Sequence, residues 1–160
     1  MERPTREELV EFVYREARLI DEKRFDEWFD LFTEDARYWI PLVPNQPDGI
    51  LHTSLMYEDK FLLRLRIDRL RNPRSHSQQL ASRCLHIVQR PEIESMNAAS
   101  NEHVLRTPFL YVETRGDEQQ VYAASAYHTL VFAEGQVRIK RKRVDILNCD
   151  AALPSVQLFM

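Results

Sequence analysis

Val137–Met160 reads VRIKRKRVDILNCDAALPSVQLFM, and the fold is decided by how its first half alternates. Val137 and Ile139 share one parity while Arg138, Lys140 and Lys142 share the other, the two-residue period of a strand half-buried in a sheet. The pattern then slips, because Val144 and Ile146 take the parity that Arg138 held. A slip of one residue turns every following side chain to the other face, so either a bulge between Lys140 and Arg143 re-aims the strand or the strand changes the layer it packs against, and the bulge is the preferred reading. Beyond Leu153-Pro154 the residues Val156, Leu158, Phe159 and Met160 are apolar where chain ends usually fray into polar residues. Such a tail is expected to pack against something.

Working back from that strand, 160 residues and 19.0 kDa suit one domain, spanning 1–160, which buries roughly 70% of the surface its unfolded chain exposes. A net charge of -3 and a pI near 6.0 give no global attraction to nucleic acid. Two cysteines, Cys84 and Cys149, are too few for a disulfide framework, so free thiols and a cytoplasmic location are expected. The start, Met1-Glu2-Arg3-Pro4, lacks the basic-then-apolar order of an export signal, and no apolar run approaches the ~18 residues of a membrane span.

Thr5-Arg6-Glu7-Glu8 has the spacing of a capping box, and Leu9, Phe12, Val13, Ala17 and Ile20 follow at helical intervals, with Glu11, Arg15, Glu16 and Arg18 expected on the remaining faces. A second helix carries the aromatic stripe Phe25, Trp28, Phe29 and Phe32, read as core packing. Asp35 to Ile40 is extended, and Pro41, Pro44, Pro47 and Gly49 spell a loop. Ser54 to Arg71 reads as a third helix, with Leu55, Leu62, Leu63, Ile67 and Leu70 inward and Arg64, Arg66, Asp68, Arg69 and Arg71 outward. Asn72–Ser77 ends this helical half, about residues 5–71. The sheet half, about 80–147, offers strands at Ser82–Gln89, Ile93–Asn101, His103–Thr114, Val121–Phe132 and Val137–Leu147, with turns at Gly116-Asp117 and Glu134-Gly135; residues 148–160 form the tail. Helices first and long strands second predict an α+β domain whose helices cover the concave face of a curved, mostly antiparallel sheet.

The residue types of a catalytic or metal centre are mostly missing from the pattern. Three glycines leave no phosphate cradle, and no Gly-x-Ser-x-Gly occurs. Cys84-Leu85-His86 has the Cys-x-His spacing of half a Rieske site, but the second half, Cys-x-x-His, is absent. His52, His76, His86, His103 and His128 are never three to five apart, so no helical zinc pair exists. The residues placed to reach a pocket between the layers are Asp35, Tyr38, His86, His103 and His128. Arg138, Lys140, Arg141, Lys142 and Arg143 form a basic run open to three readings: a solvated or internally paired face, a docking surface for an acidic partner, or a track for a ligand or nucleic acid.

Several segments together carry a family resemblance: Phe12 to Asp21, Phe25-Asp26-Glu27-Trp28, Leu31 to Pro41, Ser82-Arg83 before a strand, and Lys142 to Asn148. Nearly end to end, the chain resembles the small (beta) subunit of aromatic-ring-hydroxylating dioxygenases. Where many relatives place Pro-x-Ser-Arg-Thr-Arg-His, this chain has Leu80-Ala81-Ser82-Arg83-Cys84-Leu85-His86, keeping the Ser-Arg pair and the histidine but not the second arginine.

The resemblance implies the nuclear transport factor 2-like cone fold and a place in an assembly of three large and three small subunits. It also implies that the Rieske cluster, the mononuclear iron and the substrate pocket belong to the large alpha subunit. On this chain it implies no catalytic, cofactor-binding or metal-binding residues. Partners would be the alpha subunit and other copies of the chain, with no nucleic acid and no membrane. The apolar tail and Trp39-Ile40-Pro41 would then serve interfaces. The ending Asn148 to Pro154 through Leu158-Phe159 is most similar to subunits working on aromatic carboxylic acids. The alternative is a free-standing cone-fold isomerase, dehydratase or cyclase with a polar pair in an apolar pocket.

Overall fold

The capping box forms as spaced: the Thr5 hydroxyl accepts the Glu8 amide at 3.2 Å, and the Glu8 carboxylate accepts the Thr5 amide at 2.7 Å. The computed structural model describes residues 3–72, 82–154 and 156–160. From the cap it runs through α1 (Arg6–Asp21), α2 (Phe25–Phe29), β1 (Phe32–Pro41), β2 (Ser54–Glu58) and α3 (Lys60–Arg71). Five strands follow: β3 (Arg83–Val88), β4 (Glu92–Asn97), β5 (Glu102–Arg115), β6 (Glu118–Ala133) and β7 (Gln136–Ile146). The expected break at Asn72–Ser77 lies, from Pro73 on, outside the described residues, as do His76, Leu80 and Ala81.

One curved sheet takes the order β2-β1-β7-β6-β5-β3, with β4 also paired to β5. Every pairing is antiparallel except β1 with β7. The bulge is present at the near end of the expected interval: Thr129 faces Arg141 while Leu130 faces Ile139, leaving Lys140 as the extra residue. The change of parity buries Ile139 before the bulge and Lys142, Val144 and Ile146 after it.

Three sequence expectations change. The third helix does not begin at Ser54; Ser54–Glu58 pairs with β1, and Asp59 caps α3 by accepting the Leu62 amide at 2.9 Å. Leu63 and Ile67 therefore face inward, whereas Leu55 and Leu62 are exposed and Arg66 folds onto the buried Glu58. Phe32 leaves the aromatic helix and opens β1, yet it remains core, its ring 5.0 Å from Trp28. Third, neither apolar segment assigned to interfaces is free for one. Leu158, Phe159 and Met160 are buried inside the chain's own cone, Phe159 lying 4.4 Å from Trp28. Trp39 and Ile40 are buried too, with the indole N–H of Trp39 donating to Ser54 Oγ at 2.9 Å.

Polar ties seat the tail. Glu113 accepts the backbone N–H groups of Gln157 and Leu158 at 3.0 and 2.9 Å, and the Tyr111 hydroxyl donates to it at 2.8 Å. The Tyr38 hydroxyl donates to the Met160 carbonyl at 3.1 Å and accepts the Met160 N–H at 3.0 Å. These bonds satisfy backbone groups that an irregular buried segment would otherwise leave unpaired.

Candidate functional site

Two carboxylates on α1 reach toward the sheet. Glu16 falls in the same helical stripe as Leu9, Val13 and Ile20 and is buried with them, contrary to the outward placement expected of it. On the sheet His128 and Lys142 sit directly opposite one another across β6 and β7, so both side chains leave the same face side by side. The Glu16 carboxylate accepts from Lys142 Nζ at 2.8 Å, from the Trp28 indole N–H at 2.7 Å and from His128 Nε2 at 2.9 Å. Burial alone would push this carboxyl up. The Lys142 charge and the hydrogen bond from His128 outweigh it and hold the group well below the ordinary carboxylate range. At His128 the balance goes the other way, for burial lowers its pKa by more than the Glu16 bond raises it. The ring is therefore neutral, with Nε2–H donating to Glu16 and Nδ1 left without a partner.

The second carboxylate, Asp21, closes α1 and holds the edge strand β3. It accepts the His86 backbone N–H at 3.0 Å, lies 2.6 Å from His86 Nδ1 and receives the Cys84 thiol at 3.6 Å. The His86 ring stacks on Phe109 and meets Tyr111 edge-on, and its Nε2 is buried and unpartnered.

Between the two carboxylate–histidine pairs lies a cavity lined by Val13, Ala17, Thr107, Phe109 and Ala126 together with His86 and His128. Its volume is about 20 Å³. Of the five residues expected to reach an interlayer pocket, His86 and His128 line this cavity and three do not. Asp35 is exposed and accepts from Thr33 Oγ1 at 2.7 Å; Tyr38 is occupied by the tail; His103 is buried farther along β5, away from the cavity. Among the larger hollows are surface features of about 630 Å³ between α1, α2 and the β6–β7 turn, about 480 Å³ between α1 and the β3–β4 connection, and about 400 Å³ beside β3, β5 and β6.

Asp21, Cys84 and His86 place their ligand atoms within 4.8 Å of one another. They do not fit a Rieske cluster, which needs two cysteines and two histidines, since Cys149 does not join the group. Burial, reinforced by the Asp21 charge, also pushes the Cys84 thiol up to about 12, so that it is a protonated hydrogen-bond donor to Asp21. The basic run is mostly paired within the chain: Arg138 with the Asp30 carbonyl, Lys140 with Glu102, Lys142 with Glu16 and Arg143 with Asp145. Arg141 and Arg143 also lie over the Trp39 ring, at 5.7 and 4.4 Å.

The sequence reading missed Glu16, Asp21, Thr107 and Lys142 as members of this network. Two signals were available. Positions 9, 13, 16 and 20 are spaced four, three and four, which puts Glu16 inside the apolar stripe, and Lys142 shares parity with Val144 and Ile146 once the bulge is placed.

Helices laid over one curved mixed sheet, closed by a tail, define the cone class of α+β domains. A family model described as "Ring hydroxylating beta subunit" matches residues 15–151, and the chain belongs to that family of small subunits of ring-hydroxylating dioxygenases. The small oxygenase component of the p-cumate 2,3-dioxygenase system of Pseudomonas putida is 31% identical over 152 residues, covering 94% of this chain and 83% of that one. The beta subunit of benzoate 1,2-dioxygenase from Burkholderia mallei superposes with a TM-score of 0.75 at 27% identity, over 92% of this chain and 94% of the other. An NTF2-like protein with a cystatin-like fold from Novosphingobium aromaticivorans, 15% identical, shares the fold alone, with a TM-score of 0.65 over 89% of this chain and 82% of the other. Both the resemblance and the cone fold expected from the sequence are thereby confirmed. Among the described residues no helix is long and apolar enough to cross a membrane.

Proposed function

We propose that this chain is a structural subunit, which holds iron-containing large subunits in an assembly of three large and three small chains while the oxygenation takes place on the large ones. The observation that carries the reading is the state of the cone's interior. Phe159 and Met160 fill it from the chain's own end, and the cavity left over is about 20 Å³. A site that binds a benzene ring requires on the order of 150 Å³. An aromatic substrate has no interior place here, and the same shortfall weighs against the free-standing isomerase, dehydratase or cyclase, even though two carboxylate–histidine pairs flank the space.

The Rieske cluster and mononuclear iron then reside on the partner. The Asp21, Cys84 and His86 group supports that assignment, because its carboxylate and thiol are already committed to bonding α1 to β3. The p-cumate and benzoate systems among its relatives support an aromatic carboxylic acid as the substrate of the assembled enzyme.

Co-expression with a candidate large subunit tests this reading. The chain alone should be iron-free and inactive, and the purified complex should carry iron at a mass of three large plus three small chains. Turnover of a small molecule by the lone chain, lost on replacing His86 or His128, would refute it.

A further inference from the structure

The cavity between α1 and the sheet is lined by three residues whose side chains each carry a buried polar atom with no partner: His86 Nε2, Thr107 Oγ1 and His128 Nδ1. The three come from three strands. Thr107 and Ala126 face one another across β5 and β6, His128 lies two residues beyond Ala126 on the same face, and His86 lies on β3, the strand on the other side of β5. The two histidine side chains are only 3% and 1% exposed, and Thr107 as a residue is 1% exposed, so bulk solvent does not satisfy these atoms.

The hydrogen-bonding roles follow from the carboxylates behind the rings. Asp21 receives the His86 backbone N–H and the Cys84 thiol, so the ring nitrogen that faces it, Nδ1 of His86, is the one that carries a proton, and in the neutral tautomer Nε2 presents a lone pair. Glu16 accepts from Lys142, Trp28 and His128, so the His128 proton is on Nε2 and Nδ1 presents a lone pair. The neutral state that burial imposes on His128 agrees with this assignment. The cavity thus offers two acceptors and one hydroxyl able to donate. An anion would meet two lone pairs and the Glu16 carboxylate, the Lys142 ammonium that also lines the space being already paired with Glu16, and an apolar occupant would leave all three atoms unpaired.

We propose that this cavity is a binding site for a single water molecule, which donates one hydrogen to His86 Nε2, donates the other to His128 Nδ1 and accepts from the Thr107 hydroxyl. The space agrees, since about 20 Å³ is available and one water needs roughly 10–15 Å³ and two to four polar partners. With the water in place one unbroken hydrogen-bonded chain runs from Asp21 through His86, the water, His128 and Glu16 to Lys142. It joins Glu16 and Asp21 of α1 to the edge strand β3 and to the central strands β5, β6 and β7. The water is then a structural part of the core.

Two measurements on the full chain, purified with whatever large subunit it binds, test the site. A crystal structure that resolves ordered waters should show one peak within about 3.2 Å of all three atoms; an empty cavity, or rings turned so that they bond elsewhere, overturns the proposal. Thr107→Val keeps the shape and removes only the hydroxyl, so the sign of its effect decides. If the water is bound, the variant loses one of its partners and melts at a lower temperature than the parent. If the cavity is dry, the substitution deletes an unpaired buried hydroxyl and the melting temperature rises or stays level, which overturns it.

Discussion

Lys142→Met removes one partner of a buried ion pair while keeping nearly the same length of side chain. Glu16 and Lys142 are each 2% exposed and 2.8 Å apart, so in the variant the carboxylate keeps its bonds from Trp28 and His128 but loses its only neutralising charge. Breaking such a pair from one side costs about 3–5 kcal/mol, mostly the penalty of the uncompensated charge left behind. At about 2–4 °C per kcal/mol for a domain of this size, the melting temperature should fall by about 6–20 °C. The pH dependence supplies an internal check. Glu16 has its folded pKa held below the ordinary value, so its contribution is present above the unfolded carboxylate pKa and is lost as pH falls below it. The gap between parent and variant should therefore narrow as the solution is taken below about pH 4. Urea titrations at several pH values, with an unchanged slope as the two-state check, measure both quantities. The double variant Glu16→Gln, Lys142→Met should lose less than the sum of the single variants, by about 0.5–3 kcal/mol. A Lys142→Met loss under about 1 kcal/mol at pH 7, or strict additivity, would refute the ion pair as a fixed element of the core.

Other outcomes follow from the same contacts. Phe159→Ala should cost about 3–5 kcal/mol, because the ring is buried against Trp28, Phe25 and Tyr38, and the Gln157 and Leu158 amides should exchange faster by hydrogen exchange. Burial lowers the His128 pKa, so the unfolded chain binds a proton first and stability should decline as pH drops below about 6.5; in His128→Gln that slope in urea midpoint should be shallower. His103 has a burial-lowered pKa of the same sign, so part of the slope should survive. Asp59→Ala removes the side-chain cap of α3 and should cost about 1 kcal/mol, read from the melting temperature.

What the sequence made legible was whatever depends on local periodicity. The capping box, the order of helices and strands apart from β2, the turns at Gly116 and Glu134 and the bulge in β7 are all written in the spacing of apolar residues and breakers. The start of α3 was misread because Leu55, Leu62 and Leu63 are compatible with a helix, whereas pairing with β1 claims Ser54–Glu58 for the sheet. The polar network was less legible still. Glu16 meets His128 and Lys142 across more than a hundred residues of sequence, and no local pattern records that a charged residue in an apolar stripe has a cation waiting on another element. The tail was recognised as apolar, but its destination depended on Glu113 and Tyr38, whose acceptor and hydroxyl bind backbone that the sequence alone does not place.

The bulge and the buried ion pair explain each other. With Lys140 paired regularly in place of the bulge, β7 would keep the parity of Ile139, turning Lys142 to the outer face and carrying Arg141 and Arg143 into the core. Glu16 would then be buried beside Trp28 and His128 with no cation of matching reach, and two guanidinium groups would replace one ammonium in a space closed by Val13 and Ala126. With the bulge, Lys142 satisfies Glu16 inside while Arg141 and Arg143 lie against Trp39. An apolar pair in place of Glu16 and Lys142 would allow comparable burial, and the wrong register would still bury the Arg141 and Arg143 guanidinium groups, but the part of the preference that comes from leaving Glu16 without Lys142 would be lost. The charged pair thus acts on the choice of register, and through it on which side chains β7 presents beside β1, the strand to which it is joined in parallel.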